Sequence, residues 1–191
     1  KSLKCLQSEL EAASKLGIEY VVFHPGAHTG AGRRTGVDNV IDAVGDLDIP
    51  EGVTLLFENT AGKGTTVGKE FSALSRMVEE TETNRVGVCL DTCHMYAAGY
   101  DIAEEFDTVM SEVETELGTG NIQLLHLNDS KHPLGSEKDE HQHIGEGEIK
   151  EQGFRNLLDS ELGKTPKVLE TPTNGKGYAD NIERVRDLAS Q

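Results

Sequence analysis

Five short runs of apolar and β-branched residues punctuate the chain: 19–24 (EYVVFH), 53–58 (VTLLFE), 86–91 (VGVCLD), 122–127 (IQLLHL) and 167–170 (KVLE). Each is nearly continuous in hydrophobicity, the pattern of a strand covered on both faces in a parallel sheet. Between them, apolar residues recur at helical spacing over 2–16, 37–47, 69–81, 103–117, 150–158 and 178–189. Strand alternating with helix predicts an α/β fold assembled from βα units. There is no low-complexity stretch and no exact repeat, so residues 1–191 are expected to form a single domain.

Every predicted strand ends in or beside a polar side chain: His24, Glu58, Asp91, His126 and Glu170. In parallel α/β folds the carboxyl ends of the strands share one face, where sites form from strand tips and βα loops. A buried strand has no use for an unpartnered terminal carboxylate, because an unpaired buried charge is costly. A doubly wound sheet can be complete with five strands, whereas a (β/α)8 TIM barrel needs eight, in about 250 residues. Ligands converging from every strand favour the barrel, since an open sheet spreads its tips along a line. The chain opens on a helix, so the expectation is a partial barrel of about five C-terminal βα units. About three more units, and part of the scaffold, are expected ahead of Lys1.

Composition narrows the class. No run approaches the roughly 18 unbroken apolar residues of a membrane span, and the amino end has no secretory-signal pattern. Three cysteines, Cys5, Cys89 and Cys93, make a poor disulfide framework and fit a reducing, cytoplasmic setting. Asp and Glu number 34 against 18 Lys and Arg, a formal net charge of −16. Nucleic-acid binders ordinarily show the opposite balance. Two readings fit: a protein that never meets DNA, or a halophile-like one whose dense carboxylate surface keeps it soluble in concentrated salt.

The chemistry lies in five segments. In FHPGAH, Pro25-Gly26 turns the chain at once and fixes His24 at the rim; His28 reads as a loop residue. In FENTAGKG, Glu58 is a strand-tip carboxylate able to bridge two metals. The glycines after it could offer N–H groups to a phosphate, though the GK[ST] ending of an ATP-binding loop is missing. In VCLDTCH, Asp91 and His94 can face different metals; Cys89 reads as core packing and Cys93 as a small residue behind the site, since their spacing is not that of a zinc knuckle. The run from His126 to Gly147 carries Asp139-x-His141, a pair suited to one shared metal, and Glu170-Thr-Pro supplies the last carboxylate. Each has a plainer alternative: a strand cap for His24, a salt bridge for Glu58 or Glu170, a solvated loop for His141 and His143. Together His24, Glu58, Asp91, His94, His126, Asp139, His141 and Glu170 are too many donors for one tetrahedral ion and enough for two or three. The nitrogen and oxygen mix suits Zn2+, with Mn2+ second. Clustered divalent ions are the apparatus of phosphodiester hydrolysis.

The segments FHPGAH, FENTAGKG, GVCLDTCHMYAAGYD, HLNDSKHPLGSEKDEHQHIGEGEI and LETP resemble, in order and approximate spacing, the signatures of the endonuclease IV family of abasic-site endonucleases. The likeness runs essentially end to end. It implies a (β/α)8 barrel with three zinc ions, acting as a monomer on double-stranded DNA. Such an enzyme cuts 5′ to an abasic site and leaves a 3′-hydroxyl. It implies further that His24 binds the first zinc and Glu58 bridges the first and second. Asp91, His126 and Glu170 would complete the second, and His94, Asp139 and His141 the third, with Glu170 beside the attacking hydroxide; Glu58 and Glu170 are thus the expected catalytic residues. His28, His132 and His143 are not implied as ligands. The family's ninth ligand, a histidine, and its DNA-wedging loops would lie upstream of Lys1, so residues 1–191 alone are expected to be inactive. The rival is a sugar isomerase-like barrel with one or two divalent ions; a structural zinc module fits less well, because such sites use closed cysteine-rich shells. Arg33, Arg34, Lys63, Lys131 and Lys138 are expected to form a cationic rim on an otherwise acidic body.

Overall fold

The computed structural model describes residues 2–190. Helix α1 (Ser2–Leu16) leads into β1 (Tyr20–Phe23), α2 (Arg33–Gly45) into β2 (Thr54–Glu58), and α3 (Phe71–Glu80) into β3 (Val86–Asp91). Strand β3 runs straight into α4 (Thr92–Ala98), followed by α5 (Phe106–Glu112), a π-helical turn at Val113–Leu117 and β4 (Ile122–His126). A long loop holding the short strands β5 (Asp129–Ser130) and β6 (His141–Gln142) leads to α6 (Lys150–Asp159), β7 (Lys167–Val168) and α7 (Tyr178–Ala189). Among the described residues no helix is long and apolar enough to cross a membrane.

Strands β1, β2, β3, β4 and β7 form one sheet in that order, all pairs parallel. The order follows the chain with no reversal, as in a (β/α)8 barrel and unlike a doubly wound sheet, which reverses at its switch point. The sheet is a curled, partial barrel of five strands. Its two faces differ. Val21, Phe23, Leu55, Phe57, Val88 and Leu90 pack into the main core with the helices, against Leu10, Val37, Leu74 and Met77. Tyr20, Val22, Leu56, Cys89 and Leu124 make a separate small cluster on the inner face. Strand side chains alternate with period two. Two residues beyond Val22, Leu56, Cys89 and Leu124 come His24, Glu58, Asp91 and His126, so the inner apolar floor and the rim of donors are written on one stripe.

Departures from the sequence expectations are local. Helix α2 starts at Arg33 rather than 37, after Gly32 at φ 92°. Residues 92–98, outside the helical spacing read from the sequence, are helical because the Asp91 carboxylate caps them, accepting from His94 N at 2.8 Å, and Gly99 at φ 110° ends the helix. The helix expected over 103–117 starts late and ends in the π turn. Strand β7 stops at Val168, two residues short, because Glu170 N donates to the Asn128 side chain (2.9 Å) instead of to a strand.

Phe57 is fully buried, with its ring centroid 5.3 Å from that of Phe23. Phe57→Ala is expected to lower stability by about 3–5 kcal/mol. In urea denaturation the midpoint should fall while the slope stays unchanged.

Candidate metal centre

The eight side chains singled out from the sequence converge at the carboxyl ends of the strands. Glu58, 5 % exposed, is the hub. Its Oε2 lies 3.0 Å from His24 Nε2 and its Oε1 2.8 Å from His126 Nδ1, so the two oxygens serve different neighbours. His126 Nδ1 also lies 3.2 Å from Glu170 Oε2. On the other side, Asp139 Oδ1 lies 3.1 Å from His94 Nε2 and 3.4 Å from His141 Nε2. Asp91, fully buried, sits between the two halves, with His141 Nε2 3.8 Å from its Oδ2. Potential donor atoms of Glu58, Asp91, His126 and Glu170 lie within 4.8 Å of one another, as do those of His24, Glu58 and His94 and those of Asp91, His94 and His141. The first of these groups is the set the sequence resemblance implied for one ion, with Glu58 as its bridge.

Residues not foreseen from sequence hold this arrangement. Asn59 Oδ1 accepts from Asp91 N (2.6 Å) and its amide donates to Asp91 O (3.2 Å), locking β2 to β3 beside the site. Its carbonyl lies 2.9 Å from His94 Nδ1. Asn128 donates to Asp91 Oδ2 (2.6 Å) and accepts from Glu170 N, and Thr92 Oγ1 donates to Asn128 O (2.7 Å). Their one mark in the sequence is position, each following a strand-tip donor directly or by two residues, and position alone does not separate them from ordinary loop residues.

The carbonyl of Asn59 can only accept, so His94 Nδ1 carries a proton; the Glu170 carbonyl, 3.1 Å from His141 Nδ1, does the same there. Both rings then present Nε2 to the space around Asp139. Both Nε2 atoms are buried and make no directed hydrogen bond, despite their closeness to Asp139. A buried nitrogen left in this state calls for a partner. A backbone carbonyl on the far ring nitrogen is how proteins orient metal-binding histidines. Among the described residues, no Lys or Arg pairs with Glu58, Asp91, Asp139 or Glu170. The residues therefore fit a divalent ion on both counts.

The same geometry sets the protonation. Burial alone would raise the Glu58 pKa, but His126 and His24 overcome it and take it down to about 2. Burial alone would lower His94, yet Asp91 and Asp139 raise it to about 9. Against burial, Cys89, Glu170 and Glu58 raise His126 to about 12. Asp139 is drawn well below the carboxylate range by His141 and His94. Burial pushes the Cys89 thiol up to about 11 and Cys93 to about 12, so both are neutral in the metal-free protein, and Cys89 also lies within donor range of Glu58 and His126. Cys93 donates to Glu140 O from behind the site, and Cys89 lies on the inner apolar floor. The remaining histidines are elsewhere: His28 accepts from Gly30 N and Gly32 N, His132 pairs with Glu140, and His143 bonds Asn174 O and Asn181.

A barrel sheet with imidazole and carboxylate donors gathered at its carboxyl rim defines a TIM-barrel protein with a candidate multi-metal centre. The xylose isomerase-like TIM barrel family matches residues 1–188. A "Probable endonuclease 4" of Haloarcula marismortui is 50% identical over 195 residues, covering 100% of this chain and 70% of that protein. The crystal structure of endonuclease IV from Thermus thermophilus superposes with a TM-score of 0.86 at 38% identity, covering 99% of this chain and 68% of that one. A D-tagatose 3-epimerase-like protein shares the fold at TM-score 0.75 and 20% identity, over 98% of this chain and 68% of that one. The chain belongs to the endonuclease IV family.

The pKa shifts predict how the metal-free protein responds to pH. Glu58 stabilises fully above about pH 4.5, and that stability is lost as pH falls through about 2. His94 stabilises fully below about pH 6.5, and its contribution is lost as pH rises through about 9. Chelator-treated protein should therefore be most stable between about pH 4.5 and 6.5 and weaken towards pH 9, as read from urea midpoints. Zinc binding at neutral pH should release protons, seen as a dependence of the calorimetric heat on buffer ionisation enthalpy. A flat stability profile across pH 6–9 would contradict the assignment.

Proposed function

We propose that the rim holds a cluster of divalent ions, zinc first and manganese second. We propose further that the protein hydrolyses the phosphodiester 5′ to abasic sites in double-stranded DNA, leaving a 3′-hydroxyl. One observation carries the reading: four carboxylates converge with four histidines and no Lys or Arg, while His94 and His141 aim unpartnered Nε2 atoms into the same space. Family membership supports a nuclease rather than a sugar isomerase. His24, Glu58, Asp91, His94, His126, Asp139, His141 and Glu170 would hold the ions. When bound, such ions supply a water activated at neutral pH and neutralise charge on the attacking and leaving oxygens.

The chain's own residues have separable tasks. Glu58 presents one oxygen to His24 and the other to His126, and it keeps a full negative charge at neutral pH, since its pKa lies near 2. Asn59 and the Glu170 carbonyl fix the ring orientations of His94 and His141. Glu170 and Asp139 are the exposed carboxylates of the set, with side chains 49 % and 42 % accessible; Glu170 can thus meet both substrate and solvent and accept a proton from attacking water at its free oxygen.

Surface charge shapes the encounter with DNA. Of the rim cations expected from sequence, Arg33 is paired with Glu70 and Lys131 with Glu140, which trims the cationic rim. Arg34, Lys63 and Lys138 are exposed and pair with no carboxylate among the described residues. With about three phosphates neutralised, the plot of log affinity against log salt should have a slope of about −3. Filter-binding over a salt series measures it; a slope near −8 would refute the sparse rim.

Glu58→Gln tests the centre. With the upstream units that the resemblance implies in place, it should leave the fold intact by circular dichroism while lowering abasic-duplex cleavage by more than the about 10- to 100-fold typical of outer-shell changes. Three zinc per molecule by elemental analysis support the nuclease reading. One or two metal equivalents with sugar turnover would replace it by an isomerase.

A further inference from the structure

The 20 residues from Asp129 to Glu148 form the longest excursion between a strand and its following helix, and they carry Asp139 and His141. Their base is held by one side chain. Asp129 is fully buried and its carboxylate accepts four backbone N–H groups: Oδ1 from Ser130 (2.8 Å) and Ile149 (3.0 Å), Oδ2 from Gly145 (2.9 Å) and Gly147 (3.0 Å). The two ends of the excursion thus meet on one anion, with Glu148 N donating to Ser130 O (2.8 Å) beside it. The backbone is shaped for this. A Cβ on Gly147 would collide with the Ser130 carbonyl and sit 2.5 Å from Asp129 Oδ1. Lys150, just after the last donor, holds φ at 61°, a conformation that persists only where surroundings impose it.

From this base the excursion reaches the site by a defined path. Ser130 pairs with His141 and Asp129 with Gln142 in the β5–β6 ladder, and Lys131 N donates to Glu140 O at 3.0 Å. Asp139 and His141 are therefore carried on a short hairpin whose root is Asp129. The tip rests on α4, where Gly135 N donates to Tyr96 O and Glu137 N to Ala97 O. An ordered hairpin root sets where the two donors point; released, their chain would sample many positions, and site affinity would fall with the fraction correctly placed.

We propose that Asp129 is a positioning residue for the Asp139–His141 arm, and that it tunes the affinity of the ion shared with His94 while leaving the Glu58-centred half alone. The inference rests on the metal-centre reading above. Its experiment is a zinc titration of metal-stripped protein against a competing chromophoric chelator, on wild type, Asp129→Asn, Gly147→Ala, Asp139→Ala and the Asp129→Asn/Asp139→Ala double variant. The amide of Asn would face two of the four N–H groups donor to donor. Asp129→Asn and Gly147→Ala should each weaken about 10- to 100-fold the one equivalent that Asp139→Ala abolishes. The other equivalents should be unaffected, and the double variant should be no weaker than Asp139→Ala. Hydrogen exchange on the metal-free proteins reads the same root without any ion: the amides of Ser130, Gly145, Gly147 and Ile149 should exchange at least about tenfold faster in Asp129→Asn, with β2 and β3 unchanged. Faster exchange with unaltered zinc affinity overturns the positioning role and spares the metal centre. Equal weakening of every equivalent overturns it as a general loss of stability. A wild type with no Asp139-dependent equivalent overturns both readings.

Discussion

Four carboxylates brought together without a lysine or arginine constrain everything else in this molecule. Glu58 and Asp91 lie at or near complete burial, and Asp139 and Glu170 face them from the rim. Mutual repulsion in a poorly solvated space would drive such a cluster apart or protonate it. Here positive charge arrives through the histidines. With their pKa values raised, His94 and His126 are protonated at neutral pH; the His126 Nδ1 proton sits between Glu58 and Glu170, and His94 faces Asp139 through Nε2. Protons thus occupy, in the metal-free protein, the places where divalent ions would give more charge with less crowding. Removing one partner of a buried pair is costly because it strands the other. The centre is therefore also a structural element of the rim.

The barrel supplies the precision this needs at little expense in sequence. Period-two alternation puts the inner apolar cluster and the strand-tip donors on one stripe, so the packing of Leu56 and Cys89 aims Glu58 and Asp91. Parallel register then sets neighbours side by side: Glu58 opposite Cys89, Asp91 opposite His126. Asp91 does three things at once. It ends β3, caps α4 through His94 N, and accepts from Asn128, which in turn holds Glu170 N. Strand tip, helix start and the last carboxylate are tied through a single group, and that coupling fixes donors from strands, a helix and loops relative to one another.

What could be read from sequence follows from the range of the forces involved. Strands, helices and strand-tip donors were legible because they depend on residues within about a turn or a strand length. The helix after Asp91 was missed although an Asp cap and Gly99 frame it, because its interior is buried on all sides and lacks an amphipathic stripe. The roles of Asn59, Asn128 and Asp129 were not legible for a different reason. Their partners lie 32, 37 and up to 20 residues away, and nothing local separates a bridging amide from an ordinary loop asparagine. Glu170 was expected at a strand tip, but β7 ends two residues before it, since the Asn128 side chain just past β4 takes its N–H from the ladder.

The surface poses the remaining physical question: how a body of net charge −16 approaches a polyanion. At 0.1 M salt the screening length is about 10 Å and at 1 M about 3 Å. At 0.1 M salt the α5 and π-turn segment bearing Glu112, Glu114 and Glu116 repels a polyanion only within about 10 Å. In concentrated salt that repulsion ends within a contact layer, and so does any attraction from the exposed cations. Arg33–Glu70 and Lys131–Glu140 further spend rim charge on exposed pairs that add little to stability. Long-range steering is therefore weak under either condition. On the proposed function, recognition would have to come from groups that act at contact, and the His–carboxylate rim, once bound ions reverse its negative charge, offers such a contact site shielded from salt. On that reading, a protein built this way would select its phosphate by docking it against ions bound at the centre, and not by attracting the duplex from afar.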